Sequence, residues 1–449
     1  MSLCARYPTI ADLTAAFRRQ EISPLEALEE TLYQCGRLDG SLRAIVAFDE
    51  SGARQAARDA ERRYRSGEAR ALEGVPVTVK DLIDVRGLRT RYGTAFRREP
   101  EPALADATSV ANLRAEGAVV FAKTRLLECA YGAVNPEDGP CHNPWDTHRT
   151  SGGSSSGAAA SIAVGMGYGA IGTDTGGSIR IPAAYCGVAG LKPTYGRFSL
   201  DGVLPLSWSL DHLGPIARSV GDLRHLAAAI EGRGAWRAEA PPTIRLGRLR
   251  QFGRDPVEDG PRKAVEHALY ALAEAGVQVV DVTVPGIEDV DPAQLIVVMA
   301  EASSVHRHWR YRADVCYAEL TLQQIQAGEL IPAADYLDAL RVVSRVRFAA
   351  EQVLRDVDAL VMPTVGMTAP AEDPPVVDAQ MGAQETWFTA PWNATGHPAI
   401  SLPLPELVEG MPVGLQLVSR FGADEHLLAV AERITGHLGS KARLAPLAG

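Results

Sequence analysis

The chain has 449 residues, 46% hydrophobic and 22% charged, with a formal net charge of −10 at pH 7. That acidic balance, without any long lysine or arginine run, excludes a nucleic-acid footprint and points to a small-molecule substrate. No run of roughly 18–20 apolar residues spans a bilayer and the N-terminus has no apolar leader core, so a cytoplasmic protein without membrane attachment is expected. The six cysteines (Cys4, Cys35, Cys129, Cys141, Cys186, Cys316) form no C-x-x-C pair and read as reduced thiols. His306-x-His308 and the pair His142 and His148 lack the helical spacing of a zinc site, so no metal and no cofactor is expected.

Residues 1–70 read as helices. Ser23-Pro24 caps PLEALEETLYQC, where Leu25, Leu28 and Leu32 share a face, and SGARQAARDAERRYRSG is a second, very polar helix. GVPVTVKD alternates Val75, Val77 and Val79 as a strand, and the helical ATSVANLRAEG precedes a further strand, AVVFAKT. The small residues of SSSGAAASIAVGMG predict a helix packed closely on a sheet, leading into the strand GAIGTD. After Gly232 a Pro- and charge-rich connection leads to IRLGRL, the helix KAVEHALYALAEAG and VQVVDVTVP. Length alone suggests about three domains, but the repeated strand–helix–strand order favours one continuous sheet. Residues 297–356 form a helical insertion over one side, and DALVMPT, PAISLPL and PVGLQLVS add strands. TAPAEDPPVVDAQMGAQ reads as a loop lining a pocket.

Two steps, Gly152-Gly153-Ser154 and Gly176-Gly177-Ser178, combine permissive backbone with a hydroxyl. A serine attacks only when a base takes its proton, and no histidine lies within residues 150–192. His212 and His397 are distant candidates. Lys80, ending the apolar strand, serves only if burial lowers its pKa by several units; otherwise it pairs with Asp81 or Asp84. Gly167-Tyr-Gly169-Ala-Ile-Gly172 matches a dinucleotide motif formally but lacks the following acidic residue, and Cys186 in AAYCGVAG reads as a buried, inert thiol.

Taken in order, GVPVTVKD, NPWDTHRTSGGSSSGAAAS and GTDTGGSIRIPAAYCGVAGLKPTYGR resemble the amidase signature family, and SLDHLGPIARSVGDL, WNATGHPAISLP and MPVGLQLVSRFGADEHLL extend the likeness over most of residues 10–435. The resemblance implies an α/β fold: a single domain over residues 1–449 with a central mixed sheet of about eleven strands covered by helices on both faces. Within it, residues 71–232 would be the signature core and 357–449 the strands and helix completing it. It implies a Ser–cisSer–Lys triad of nucleophile Ser178, bridging Ser154 after a cis peptide from Gly153, and base Lys80. It further implies an oxyanion hole from the amides of Thr175, Gly176, Gly177 and Ser178, which would explain the bare backbone at 176 and 177. Asp174 and Arg180 are expected to hold the loop together. The sequence departs from the common family pattern at Ser151 and Ser156; Ser155 is expected to hydrogen-bond near the site and Ser156 to cap or pack the small-residue helix.

The implied activity is hydrolysis of a small-molecule amide through an acyl-enzyme, giving a carboxylate and ammonia or an amine. One alternative is a protein resembling the A-type component of glutamyl-tRNA amidotransferase, releasing ammonia from glutamine for a partner; the chain reads as short for it and lacks its usual Asp-Ser-Thr-Ser-like stretch. A catalytically silent binding scaffold is another, and a homodimer is left open. Family members take amides, ureido acids, hydrazides and carbamates, and the triad does not choose among them. Tyr131, Gly153, Trp208 and Trp387 are the candidate substrate contacts, within walls at 126–131, near Trp208, at 300–345 and at 387–392. Arg307 and Arg310 either hold a substrate carboxylate or line a solvated helical face.

Overall fold

The computed structural model describes residues 2–448 apart from 98, 254–256, 313–314 and 373–383. Eleven strands form one mixed sheet: β1 (Ile45–Phe48), β2 (Pro76–Lys80), β3 (Val119–Thr124), β4 (Gly169–Asp174), β5 (Ala189–Lys192), β6 (His212–Ala217), β7 (Arg245–Leu249), β8 (Gln278–Val282), β9 (Ala359–Pro363), β10 (Ala399–Val408) and β11 (Met411–Val418). Their spatial order is β1-β3-β2-β4-β6-β5-β10-β11-β9-β7-β8. The β3-β2-β4 and β9-β7-β8 groups run parallel, and the pairings between them are antiparallel. This is the single α/β domain with a mixed sheet that the resemblance implies.

Three strands escape a reading of hydrophobic alternation. β1 is a four-residue edge strand, while β5 (AGLK) and β6 (HLGPIA) are built on glycine and proline. Gly214 in β6 is required by close approach, since a Cβ there would lie 2.1 Å from Leu191 O. β5 and β6 are held by burial on both faces, not by propensity.

Helices Val220–Glu231, Asp259–Glu274 and Asp424–His437 pack a large aliphatic core against one face. The other carries the fully buried small-residue helix Ser156–Ala163, whose alanines lie among Val119, Phe121, Ile179 and Ile216. Gly157 lets that helix seat, because a Cβ would fall 2.3 Å from Ala44 O. Ser156 is its first helical residue and donates to Arg125 O at 3.4 Å; it packs the helix and does not cap it.

The helices over one side begin at Val290, ahead of the expected 297, and run as Val290–Val305, Glu319–Glu329 and Ala333–Val353. They share a core with Phe388 and Trp392. Most of the expected pocket loop, residues 373–383, lies outside the described residues. Among the described residues no helix is long and apolar enough to cross a membrane.

Candidate active site

Parallel pairing of β2 with β4, with Val79 opposite Ile171, brings the C-terminal ends of the two strands together. Lys80 ends β2 and is completely buried; its Nζ donates to Ser154 Oγ at 2.8 Å and to Thr173 Oγ1 at 2.9 Å. The pairing with Asp81 or Asp84 does not occur: Asp81 bonds Lys123 Nζ at 2.9 Å, and Asp84 accepts from Thr90 Oγ1. Burial pushes the Lys80 ammonium down to about 7, against the opposing pull of Asp174 and Asp211.

The two glycine–serine steps meet beside this lysine. The Gly153–Ser154 peptide is cis. Ser155 stitches the steps together, its amide donating to Ser178 O at 3.1 Å and its hydroxyl to Thr173 O at 3.1 Å. Ser154 is 2% exposed, whereas Ser178 is half-buried and its Oγ has no hydrogen-bond partner among the described residues. The side chains thus step outward from a buried amine to an accessible hydroxyl.

Asp174 and Arg180 brace the loop between. The Asp174 carboxylate accepts from Gly177 N (2.8 Å), Ile179 N (3.1 Å), Asn393 Nδ2 (2.8 Å) and Arg180 Nη2 (2.9 Å). Arg180 also donates to Thr389 O, Gln416 Oε1 and Asn393 Oδ1. Burial alone would raise the Asp174 carboxyl, but the adjacent guanidinium overrides it and holds the group well below the usual carboxylate range. Arg180→Met should therefore cost about 3–5 kcal/mol, because it strands a buried carboxylate. A urea melt checks this, and an unchanged midpoint would refute the bracing role.

The four expected oxyanion donors divide. Gly177 N is already taken by Asp174, while the amides of Thr175, Gly176 and Ser178 have no partner among the described residues. Glycine is required at 177, where φ is +140° and a Cβ would fall 2.4 Å from Thr389 Oγ1. At 176 a Cβ would make only ordinary contacts, 3.5 Å from Gln294 Nε2 and 3.7 Å from Thr386 Cγ2, so close packing does not explain that glycine.

The candidate substrate contacts have different surroundings, with Tyr131 and Trp387 sharing one apolar cluster. Gly153 lies against Leu127, whose Cδ1 would be 2.2 Å from an added Cβ. Tyr131 is buried with its hydroxyl unpartnered, and Trp387 packs partly buried against the insertion. Trp208 is 47% exposed and takes part through its carbonyl, which accepts from Tyr195 OH. His212 Nδ1 is bonded to Leu210 O, and His397 lies between Thr395 Oγ1 and Glu351, so each distant histidine has its own partners. Arg307 is exposed, as a solvated face would have it, whereas the Arg310 side chain is only 10% exposed, pairs with Glu329 and donates to Ser303 O, so it forms neither a solvated face nor a carboxylate clamp. Cys186 is buried, donates to Ser151 O and has its pKa raised by burial. No group of three or more His, Cys, Asp or Glu among the described residues could hold a metal.

Sequence reasoning missed several neighbours. Thr173 is the second partner of Lys80. Asp211 accepts from Thr175 Oγ1 at 2.6 Å, and burial raises its pKa to about 6. Gln294, from the insertion, donates to Thr175 O at 3.5 Å. Glu301 accepts from Ser207, Ser209 and Tyr336, tying the insertion to the loop before Asp211. Only the polar run SWS before Asp211 hints at this network in one dimension.

A buried lysine ending β2 thus stands beside a serine on a cis peptide, with an unpartnered serine and free amides in the loop after β4. The chain belongs to the amidase family, whose model, described as Amidase, matches residues 26–428. A crystal structure of an amidase is 35% identical and superposes with a TM-score of 0.90, covering 96% of this chain and 100% of that one. The A-type component of glutamyl-tRNA(Gln) amidotransferase from Roseiflexus castenholzii is 33% identical over 94% of each chain, and that from Anaeromyxobacter dehalogenans 35% over 95% of each. Such coverage removes shortness as an objection to the amidotransferase reading.

Proposed function

We propose that the protein hydrolyses the amide bond of a small molecule through an acyl-enzyme on Ser178. The observation carrying this is the 2.8 Å contact between Ser154 Oγ and Lys80, whose ammonium is completely buried and pushed down to about 7 by that burial. Neutral Lys80 takes the Ser154 proton as Ser154 takes that of Ser178, and the Ser178 oxygen bonds to the substrate carbonyl carbon. Charge developing on the carbonyl oxygen meets the free amides of Thr175, Gly176 and Ser178. As the C–N bond breaks, the proton returns through Ser154 to the departing nitrogen, and water then cleaves the ester to a carboxylate. No direct hydrogen bond joins Ser154 Oγ to Ser178 Oγ among the described contacts; such bonds commonly tighten only when substrate is bound.

The second reading, an amidotransferase component releasing ammonia from glutamine, is favoured by the names of the curated relatives. Assay of the purified chain with a panel of simple amides and glutamine separates the two. Turnover of other amides by the chain alone supports the hydrolase. Cleavage confined to glutamine, together with a co-purifying partner, supports the amidotransferase component.

A further inference from the structure

Glu385 is a carboxylate placed beside the reactive loop with no cation to serve. Its Oε1 accepts from Tyr185 OH at 3.0 Å, and no other hydrogen bond or ion pair reaches the group among the described residues. Tyr185 sits on the helix that follows Ser178 and lies against Gly152, where an added Cβ would be 2.8 Å from its ring. The next residue, Thr386, turns its methyl toward Gly176. Glu385 is therefore tied, through Tyr185 and Thr386, to both glycine–serine steps. Burial lifts its carboxyl to about 7, with no cationic side chain acting against the rise. Residues 373–383 contain no lysine, arginine or histidine. Across the loop Gln294 is uncharged, and Arg180, the nearby guanidinium, is spent on Asp174.

We infer that Glu385 is a specificity-determining residue that pairs with an alkylammonium group of the substrate, so that the amide cleaved carries a protonated amine. A half-buried carboxylate is costly without a counter-charge, and a substrate ammonium would supply one when bound.

This rests on the hydrolase reading, and the test separates the two. Two fluorophosphonates, one with a 4-ammoniobutyl chain and one with a pentyl chain, are compared for their rates of labelling Ser178. In parallel, kcat/KM is measured for 4-aminobutyramide against pentanamide, and for N-(2-aminoethyl)butyramide against N-propylbutyramide. The ammonium probe, and the ammonium amide of at least one pair, should react about tenfold faster. Glu385→Gln, which keeps an acceptor for Tyr185, should erase that preference while leaving the neutral compounds within about twofold. Equal rates in the wild type, or an equal loss for both classes in the variant, overturns the ammonium site alone. Failure of both probes to label Ser178 overturns the hydrolase reading instead.

Discussion

Ser178→Ala is expected to lower kcat/KM for an amide substrate by about 10⁴–10⁶ while shifting the thermal midpoint by no more than about 2 °C. The large kinetic effect follows because Ser178 is the proposed nucleophile and the hydroxyl of Ser155, next to Ser154, is engaged with Thr173 O. The small thermal effect follows because Ser178 Oγ has no partner to lose, and the contact that stitches the loop uses the Ser178 carbonyl, which alanine retains. Ser154→Ala differs in kind, since it removes an acceptor from a fully buried lysine. Steady-state rates and fluorophosphonate labelling check the first substitution, and a Ser178→Ala protein that still turns over amide at the wild-type rate would sink the nucleophile assignment.

The residues of this site were legible wherever chemistry forces a residue type into a local pattern. Two glycine–serine steps and a lysine ending an apolar strand stand out in one dimension, and the family resemblance ties them together across long separations. What stayed hidden depends on how strands far apart in sequence are placed. Thr173 looks like an ordinary strand residue until β4 is set beside β2 and its hydroxyl meets Lys80. Gly177 reads as an amide donor until Asp174, three residues earlier, turns back and takes that hydrogen. β5 and β6 were invisible because glycine and proline depress strand propensity, although both are completely buried in the sheet. Glu385 is one acid among many in the sequence; only Tyr185, two hundred positions away, marks it as set into the site.

Asp174 and Lys80 show how the fold divides its electrostatic work. Both are completely buried, yet Asp174 is surrounded by donors and a guanidinium that hold its carboxyl well below the usual range, while Lys80 is given two hydroxyls and burial pushes its ammonium down to about 7. The first arrangement fixes the loop; the second is what the proposed base requires near neutral pH.

Lys80→Met should abolish activity to about the same extent as loss of the nucleophile, and it should also stabilise the protein. Folding depresses the lysine pKa from 10.5 to about 7, so between those values the unfolded chain binds more protons than the folded one and stability rises with pH. At pH 6, below that window, the full penalty is present, on the order of 3–5 kcal/mol. Methionine removes the penalty and forfeits two hydrogen bonds of about 1 kcal/mol each, leaving a net gain of about 1–3 kcal/mol that shrinks as pH climbs toward 10. The same shift governs the wild-type rate: kcat/KM should fall about tenfold per pH unit below 7 and level off above it, because only the neutral amine accepts the serine proton. Urea melts of both proteins at pH 6 and 9, with a wild-type pH–rate profile, test both consequences. An acid limb centred near 10, or a methionine variant weaker than wild type at pH 6, would mean that Lys80 is charged in the fold and cannot be the base.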